Sequence, residues 1–119
     1  MKIPNNPAVK AGNTIYFGGI APLGADGMVA AKGDVGGQVK TILDRMENYL
    51  KKAGMTLENM VFVTIYLSDL KLYEEMNRAY AQYMPGPYPA RKVIQAPMTL
   101  EGMVVEMTGI ASQDKKEIL

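Results

Sequence analysis

Two residues in the last third of the chain have side chains suited to acting on a small anion. Arg91 follows Tyr88-Pro89-Ala90, and Glu106 stands 15 positions later within Val104-Val105-Glu106-Met107-Thr108. A guanidinium presents a fixed fork of donors that grips a carboxylate through two hydrogen bonds. A carboxylate can take a proton from water and so direct that water at an electrophilic carbon. Glu106 has apolar neighbours, and a carboxylate is costly to bury unless it is paired or hydrogen-bonded. The spacing alone equally fits an ion pair or two separate edge charges, because structural ion pairs perturb charges as active sites do.

Composition narrows the chemistry. The chain of 119 residues has no His, no Cys and no Trp. That excludes a Ser-His-Asp triad, a Cys nucleophile, disulfides and the usual zinc, haem and iron-sulfur ligand sets. Acid-base work near neutral pH then falls to carboxylates, Tyr, Lys or backbone-held water. Lys and Arg number 13 against 12 Asp and Glu, a net charge of +1. Such a balance gives no pull toward nucleic acid or an anionic membrane, so neither is expected as a partner. No apolar run approaches the roughly 20 residues that span a bilayer. The opening Met1-Lys2-Ile3-Pro4-Asn5-Asn6-Pro7 lacks an apolar signal region, so a cytoplasmic location is expected.

The elements that must position Arg91 and Glu106 can be read from periodicity. Thr14-Ile15-Tyr16-Phe17 reads as a strand stopped by Gly18-Gly19, with a second strand at 28–31 completing a hairpin. Asp34 reads as the N-cap of a helix with apolar residues at Val39, Ile42, Leu43, Met46, Leu50 and Ala53, closed by Gly54. Residues 60–67 alternate as a strand with both faces largely apolar, which asks for cover on both sides. A second helix over 70–84 carries Leu72, Tyr73, Met76, Ala79, Tyr80 and Tyr83 as a core-facing stripe. Strands at 91–96 and 103–111 follow, and the polar residues 112–119 are expected to be mobile. With no repeat or linker, residues 1–119 read as one domain. The order β-β-α-β-α-β-β predicts an α+β two-layer sandwich with two helices on one sheet face. The simplest cover for the other face is a second copy of the chain; the alternative is that the helices and long loops wrap the strand within one chain. If the last two strands paired with Ala96 facing Met103, Arg91 and Glu106 would share a face. A one-residue slip would separate them.

These residues resemble a known family. Ala8-Val9-Lys10-Ala11-Gly12-Asn13 with Gly19, then Ala53-Gly54, the strand 60–67 and Ser68-Asp69-Leu70, are similar to the opening and middle of the Rid family. That family comprises the YjgF-like reactive-intermediate, or enamine/imine, deaminases. Tyr88-Pro89-Ala90-Arg91 and Val105-Glu106-Met107-Thr108-Gly109-Ile110-Ala111 carry the most specific part of the likeness. The resemblance implies a chorismate-mutase-like fold and a homotrimer with clefts between subunits. It implies cofactor-free hydrolysis of small 2-imino or 2-enamino acids, of the 2-iminobutanoate/2-iminopropanoate type, to 2-keto acids and ammonium. Arg91 would bind the carboxylate, and Glu106 would position the attacking water. Gly19 and Asn77 match cleft-lining positions, Tyr88 would lie near the mouth, and the Val93 carbonyl would hold water. No metal is implied.

The chain departs from the family pattern where Ile3-Pro4-Asn5-Asn6-Pro7 lacks a Tyr, and at Gly18 and Val93. Those changes imply a pocket that is more open or altered in specificity. Two alternatives stand beside the enzyme. One is a non-catalytic trimer that binds small carboxylate metabolites. The other is RNA cleavage, which the near-neutral charge disfavours.

Overall fold

The computed structural model describes residues 2–119. A hairpin opens the fold: β1 (Ala8–Ala11) pairs antiparallel with β2 (Thr14–Ile20). The turn between them uses Gly12 at φ 59°, a conformation that favours glycine. The helix α1 (Val35–Lys52) follows, then β3 (Met60–Leu67), α2 (Tyr73–Tyr83), β4 (Ala90–Gln95) and β5 (Val105–Ser112). The sheet order is β1-β2-β5-β3-β4, with β4 parallel to β3 and every other pair antiparallel.

Local chemistry sets the helix ends. The Asp34 side chain accepts from Gly37 N at 3.2 Å and caps α1, satisfying one of the donors that a helix start leaves free. Gly54, at φ 71°, follows the C-cap Ala53. Asp69 accepts from Lys71 N and caps a 3-10 turn, Leu70–Leu72, that leads into α2. The buried stripe of α1 includes Val39, Ile42, Leu43, Met46 and Leu50. It packs with Met76, Ala79 and Tyr80 of α2 against Val63, Ile65 and Leu67 of β3. Burying each large aliphatic side chain is worth about 1.5–3 kcal/mol.

Three expectations are corrected. The first hairpin is β1 with β2, and residues 28–31 form no strand; only an isolated bridge, Leu23 with Val29, lies there. A loop that crosses back at one point satisfies too few backbone groups to make a ladder. Gly18-Gly19 does not stop a strand. Phe17 pairs with Gly109 and Ile20 with Met107, so the two glycines stand opposite Thr108 as a bulge within β2. Finally, β4 and β5 are not a hairpin, because β3 lies between them. Beyond Ser112 one side chain reaches back to the sheet. Lys116 Nζ donates to the carbonyls of Met60 at 3.0 Å and Pro87 at 2.7 Å.

One buried polar side chain binds the connecting loops to the core. Gln38 is fully buried. Its amide nitrogen donates to the carbonyls of Ala30, Ala31 and Gly102, and its oxygen accepts from Val104 N at 2.8 Å. Val104 is two residues before Glu106, so this clamp fixes the entry to β5. Gln38→Leu keeps the volume but leaves those backbone groups unpaired. It should destabilise the fold by roughly 2–4 kcal/mol in denaturant unfolding.

Candidate active site

Arg91 sits near the start of β4 at the edge of the sheet. It pairs in register with Val63, a buried residue on the helix-covered face. Laterally paired residues share a face, so Arg91 points to the helix side, beside α2. Its guanidinium carbon lies 5.0 Å from the centre of the Tyr80 ring, a cation–π distance. Arg91 Nη2 is 3.5 Å from the Tyr73 hydroxyl. The ion pairs among the described residues, Lys40 with Asp44 and Lys51 with Glu47, both lie on α1. The Tyr80 ring and the Tyr73 hydroxyl therefore flank Arg91 without neutralising its charge, which leaves the guanidinium available to an anion.

A cleft of about 300 Å³ opens beside Arg91, lined by Asn77, Tyr80, Ala81, Tyr88 and Pro89. The structure thus brings Arg91, Asn77 and Tyr88 together. Val93, two residues along β4, lines a neighbouring groove with Arg91. Tyr80 is 4% exposed, and its hydroxyl and Asn77 Oδ1 have no hydrogen-bond partner among the described residues. Burial pushes the Tyr80 phenol up to about 12, against the opposing pull of Arg91, so this group stays neutral.

Glu106 lies elsewhere. It pairs with Tyr66, three residues from Val63 and so on the opposite face of the sheet. Burial raises its carboxyl above the usual carboxylate range. Gly19, in the bulge of β2, lies against it: a Cβ built on Gly19 would come 2.6 Å from Glu106 Oε1. The neighbouring Thr108 hydroxyl donates to the Phe17 carbonyl and braces the bulge. Gly19 and Glu106 therefore form one half of the predicted set, and Arg91, Asn77, Tyr88 and Val93 the other. The antiparallel register that would have put Arg91 and Glu106 on one face does not occur, because β3 separates their strands.

Sequence reasoning placed Tyr73 and Tyr80 in the core stripe. Tyr80 is buried but lines the cleft, and Tyr73 is 39% exposed beside Arg91. Their spacing with Asn77 was the available signal: positions 73, 77 and 80 repeat on one helix face.

The open mixed sheet with two helices on one face matches the fold of known proteins. The chain matches the family model described as Endoribonuclease L-PSP over residues 3–113, and it belongs to that YjgF/Rid family. It is 33% identical over 108 residues to the 3-aminoacrylate deaminase RutC of Acinetobacter baylyi, covering 91% of this chain and 86% of that protein. It is 32% identical over 111 residues to a RutC family protein of Pyrococcus abyssi, covering 93% and 87%. The crystal structure of RidA from an Antarctic Psychrobacter superposes with a TM-score of 0.84 at 28% identity, covering 92% of this chain and 88% of that one. Family membership and the deaminase relative support imine or enamine deamination in general terms. No helix among the described residues is long and apolar enough to cross a membrane.

Gly19→Ala tests the packing at the carboxylate. The obstructing atom is the end of a flexible side chain, so Glu106 should swing aside with a stability loss under about 1 kcal/mol. A carboxyl titration followed by NMR should show the Glu106 value displaced while the melting temperature barely moves.

Proposed function

We propose that this protein is a cofactor-free hydrolytic deaminase of small reactive 2-imino and 2-enamino acids, working as a homotrimer. The observation that carries the reading is an arginine with no carboxylate partner among the described residues, flanked by the Tyr80 ring and the Tyr73 hydroxyl beside a mostly apolar cleft. Arg91 takes the substrate carboxylate through its two parallel N–H donors. Glu106 then has to come from another copy, since within one chain it faces away. The bare sheet face that carries Glu106 also exposes Tyr16 and Phe62, apolar surface suited to burial against a second subunit. In that arrangement the edge holding Arg91 meets the neighbour's Gly19 and Glu106.

The reaction asks little of the protein. A protonated imine is already electrophilic, so holding it and aiming one water supplies most of the acceleration. Glu106 removes a proton from that water as its oxygen bonds to C2, giving a neutral carbinolamine. It returns the proton to the amino nitrogen, the C–N bond breaks, and the remaining hydroxyl proton leaves with the ammonia. The products are a 2-keto acid and ammonium. A 2-enamino acid first takes a proton at C3 to become the imine. Asn77, Tyr88 and the Val93 carbonyl would shape the cleft around the substrate. The endoribonuclease wording of the family model has little to draw on in a chain of net charge +1 without histidine.

An imine-hydrolysis assay tests this reading. An amino-acid dehydratase makes the imine in place, and semicarbazide traps what remains. The wild type should lower semicarbazone formation. Arg91→Ala should lose tenfold or more in kcat/KM, since a hydrogen bond to a charged group is worth about 1.5–3 kcal/mol. If wild type and variant leave trapping unchanged, the deaminase reading fails, and 2-oxobutanoate binding without turnover would point to a carboxylate binder. A pH profile adds a second check. Glu106 acts as a base only when ionised, and burial holds its carboxyl above the usual range. Activity should therefore rise with pH through an acid limb lying above the ordinary carboxylate value, and Glu106→Gln should abolish it.

A further inference from the structure

We propose that Lys116 is a positioning residue for the cleft: its ammonium ties the proline-rich lip before β4 to the start of β3 and so sets where Tyr88 stands beside Arg91. This role rests on the deaminase reading and deepens it, and it falls to a residue beyond 3–113, the span matched to the family. The lip runs Pro85-Gly86-Pro87-Tyr88-Pro89 between α2 and β4. Proline has no N–H, so these five residues offer two backbone donors, Gly86 and Tyr88. Among the described residues neither of the two donates to another backbone group. The lip is fastened through a carbonyl instead. Pro87 accepts from Lys116 Nζ at 2.7 Å, and the same nitrogen donates to the Met60 carbonyl at 3.0 Å. Met60 opens β3, and Ala90, three residues after Pro87, opens β4 in register with Phe62. One ammonium thus bridges the entries to two adjacent parallel strands. No carboxylate among the described residues forms an ion pair with Lys116, so its donors are committed to the two carbonyls. Hydrogen bonds from an ionised donor are about twice as strong as neutral ones.

Tyr88 passes this constraint to the site. Tyr88 and Pro89 line the cleft of about 300 Å³ beside Arg91, and they also line a groove of about 460 Å³ on the other side, shared with Val61, Ala90 and residues 116–119. Tyr88 therefore forms a wall with a hollow on either side. Its ring centre is 6.3 Å from that of Tyr80, and the Tyr80 ring lies 5.0 Å from the Arg91 guanidinium carbon. A half-exposed wall with few hydrogen bonds of its own takes its place from its attachments. Without the Lys116 tie, the wall samples positions in which the cleft is wider. Substrate then binds only the fraction of molecules whose wall is in place. That raises KM by the inverse of the fraction and leaves kcat at saturation unchanged.

The test measures kcat and KM for imine hydrolysis in Lys116→Met, Lys116→Arg and a control, Lys115→Met. Methionine keeps most of the stem and has no donor. In Lys116→Met, KM should rise about tenfold with kcat nearly unchanged, the scale of one lost hydrogen bond from a charged group. Lys116→Arg carries donors that can reach both carbonyls and should bring KM back to within about threefold of wild type. Lys115 is exposed, and its replacement should move neither constant. A merely structural role would lower the melting temperature of Lys116→Met and leave KM alone. That result, or a KM within about twofold of wild type, would overturn the positioning role. A spectrum without substrate keeps this outcome apart from the fate of the deaminase reading. With carbon-13 in the tyrosine rings, the Tyr88 signal is displaced by the neighbouring Tyr80 ring. In Lys116→Met it should move toward that of free tyrosine, while the signals of Tyr16 on β2 and Tyr66 on β3 stay in place. If the wild type hydrolyses no imine, the deaminase reading falls and the Tyr88 signal decides the tie alone. A signal that moves supports it, and one that does not move overturns it.

Discussion

A β-strand turns alternate side chains to opposite faces, and residues paired across a ladder share a face. That rule governs this site. Arg91 is in register with Val63, and Glu106 with Tyr66. Val63 and Tyr66 are an odd number of steps apart on β3, so the cation and the carboxylate lie on opposite sides of the sheet. Helices cover one of those sides, and the other is bare. No change of rotamer brings the two groups together through a packed sheet. A site that uses both requires two copies of the chain, and the exposed aromatic residues on the bare face give those copies a reason to associate.

Each half is held ready by a different device. Arg91 is flanked by the Tyr80 ring and the Tyr73 hydroxyl. A carboxylate partner would fix it more firmly but would compete with the substrate for the same fork of donors. The cation–π contact orients the guanidinium and leaves its charge available. Glu106 lies against the bulge at Gly18-Gly19, where the missing side chain of Gly19 leaves room for its carboxylate. Any side chain at Gly19 would fill the space the carboxylate occupies. Burial at that position favours the protonated form of the acid, which would suit the proposed role of taking and returning a proton.

Much of the fold was legible. The strand at Met60–Leu67, the helix capped by Asp34 and the helix ending before Pro85 follow from local period and capping, which act over a few residues. Strand pairing is a long-range choice, and there the sequence was ambiguous. Residues 28–31 had strand-like composition but no partner strand. The polar, Pro-rich start concealed β1, whose partner β2 lies only a two-residue turn away. Arg91 and Glu106 stood out because charged residues between apolar strand neighbours need a reason. Their separation by β3 was hidden, because β4 and β5 are adjacent in sequence and suggest a hairpin. Tyr80 was read as core, and it is buried; its contact with the guanidinium depends on how α2 crosses β4, which no local pattern records.

The claim that the site is shared between copies can be tested by complementation. Arg91→Ala and Glu106→Gln would each be purified, shown to be inactive alone, then unfolded together and refolded as an equal mixture. In a closed ring of copies, about a quarter of the interfaces would pair an intact Arg91 with an intact Glu106 from the neighbouring chain. The account predicts recovery of about a quarter of wild-type imine hydrolysis. A mixture that forms mixed oligomers and stays inactive would contradict it, because the two residues would then have to act within one chain.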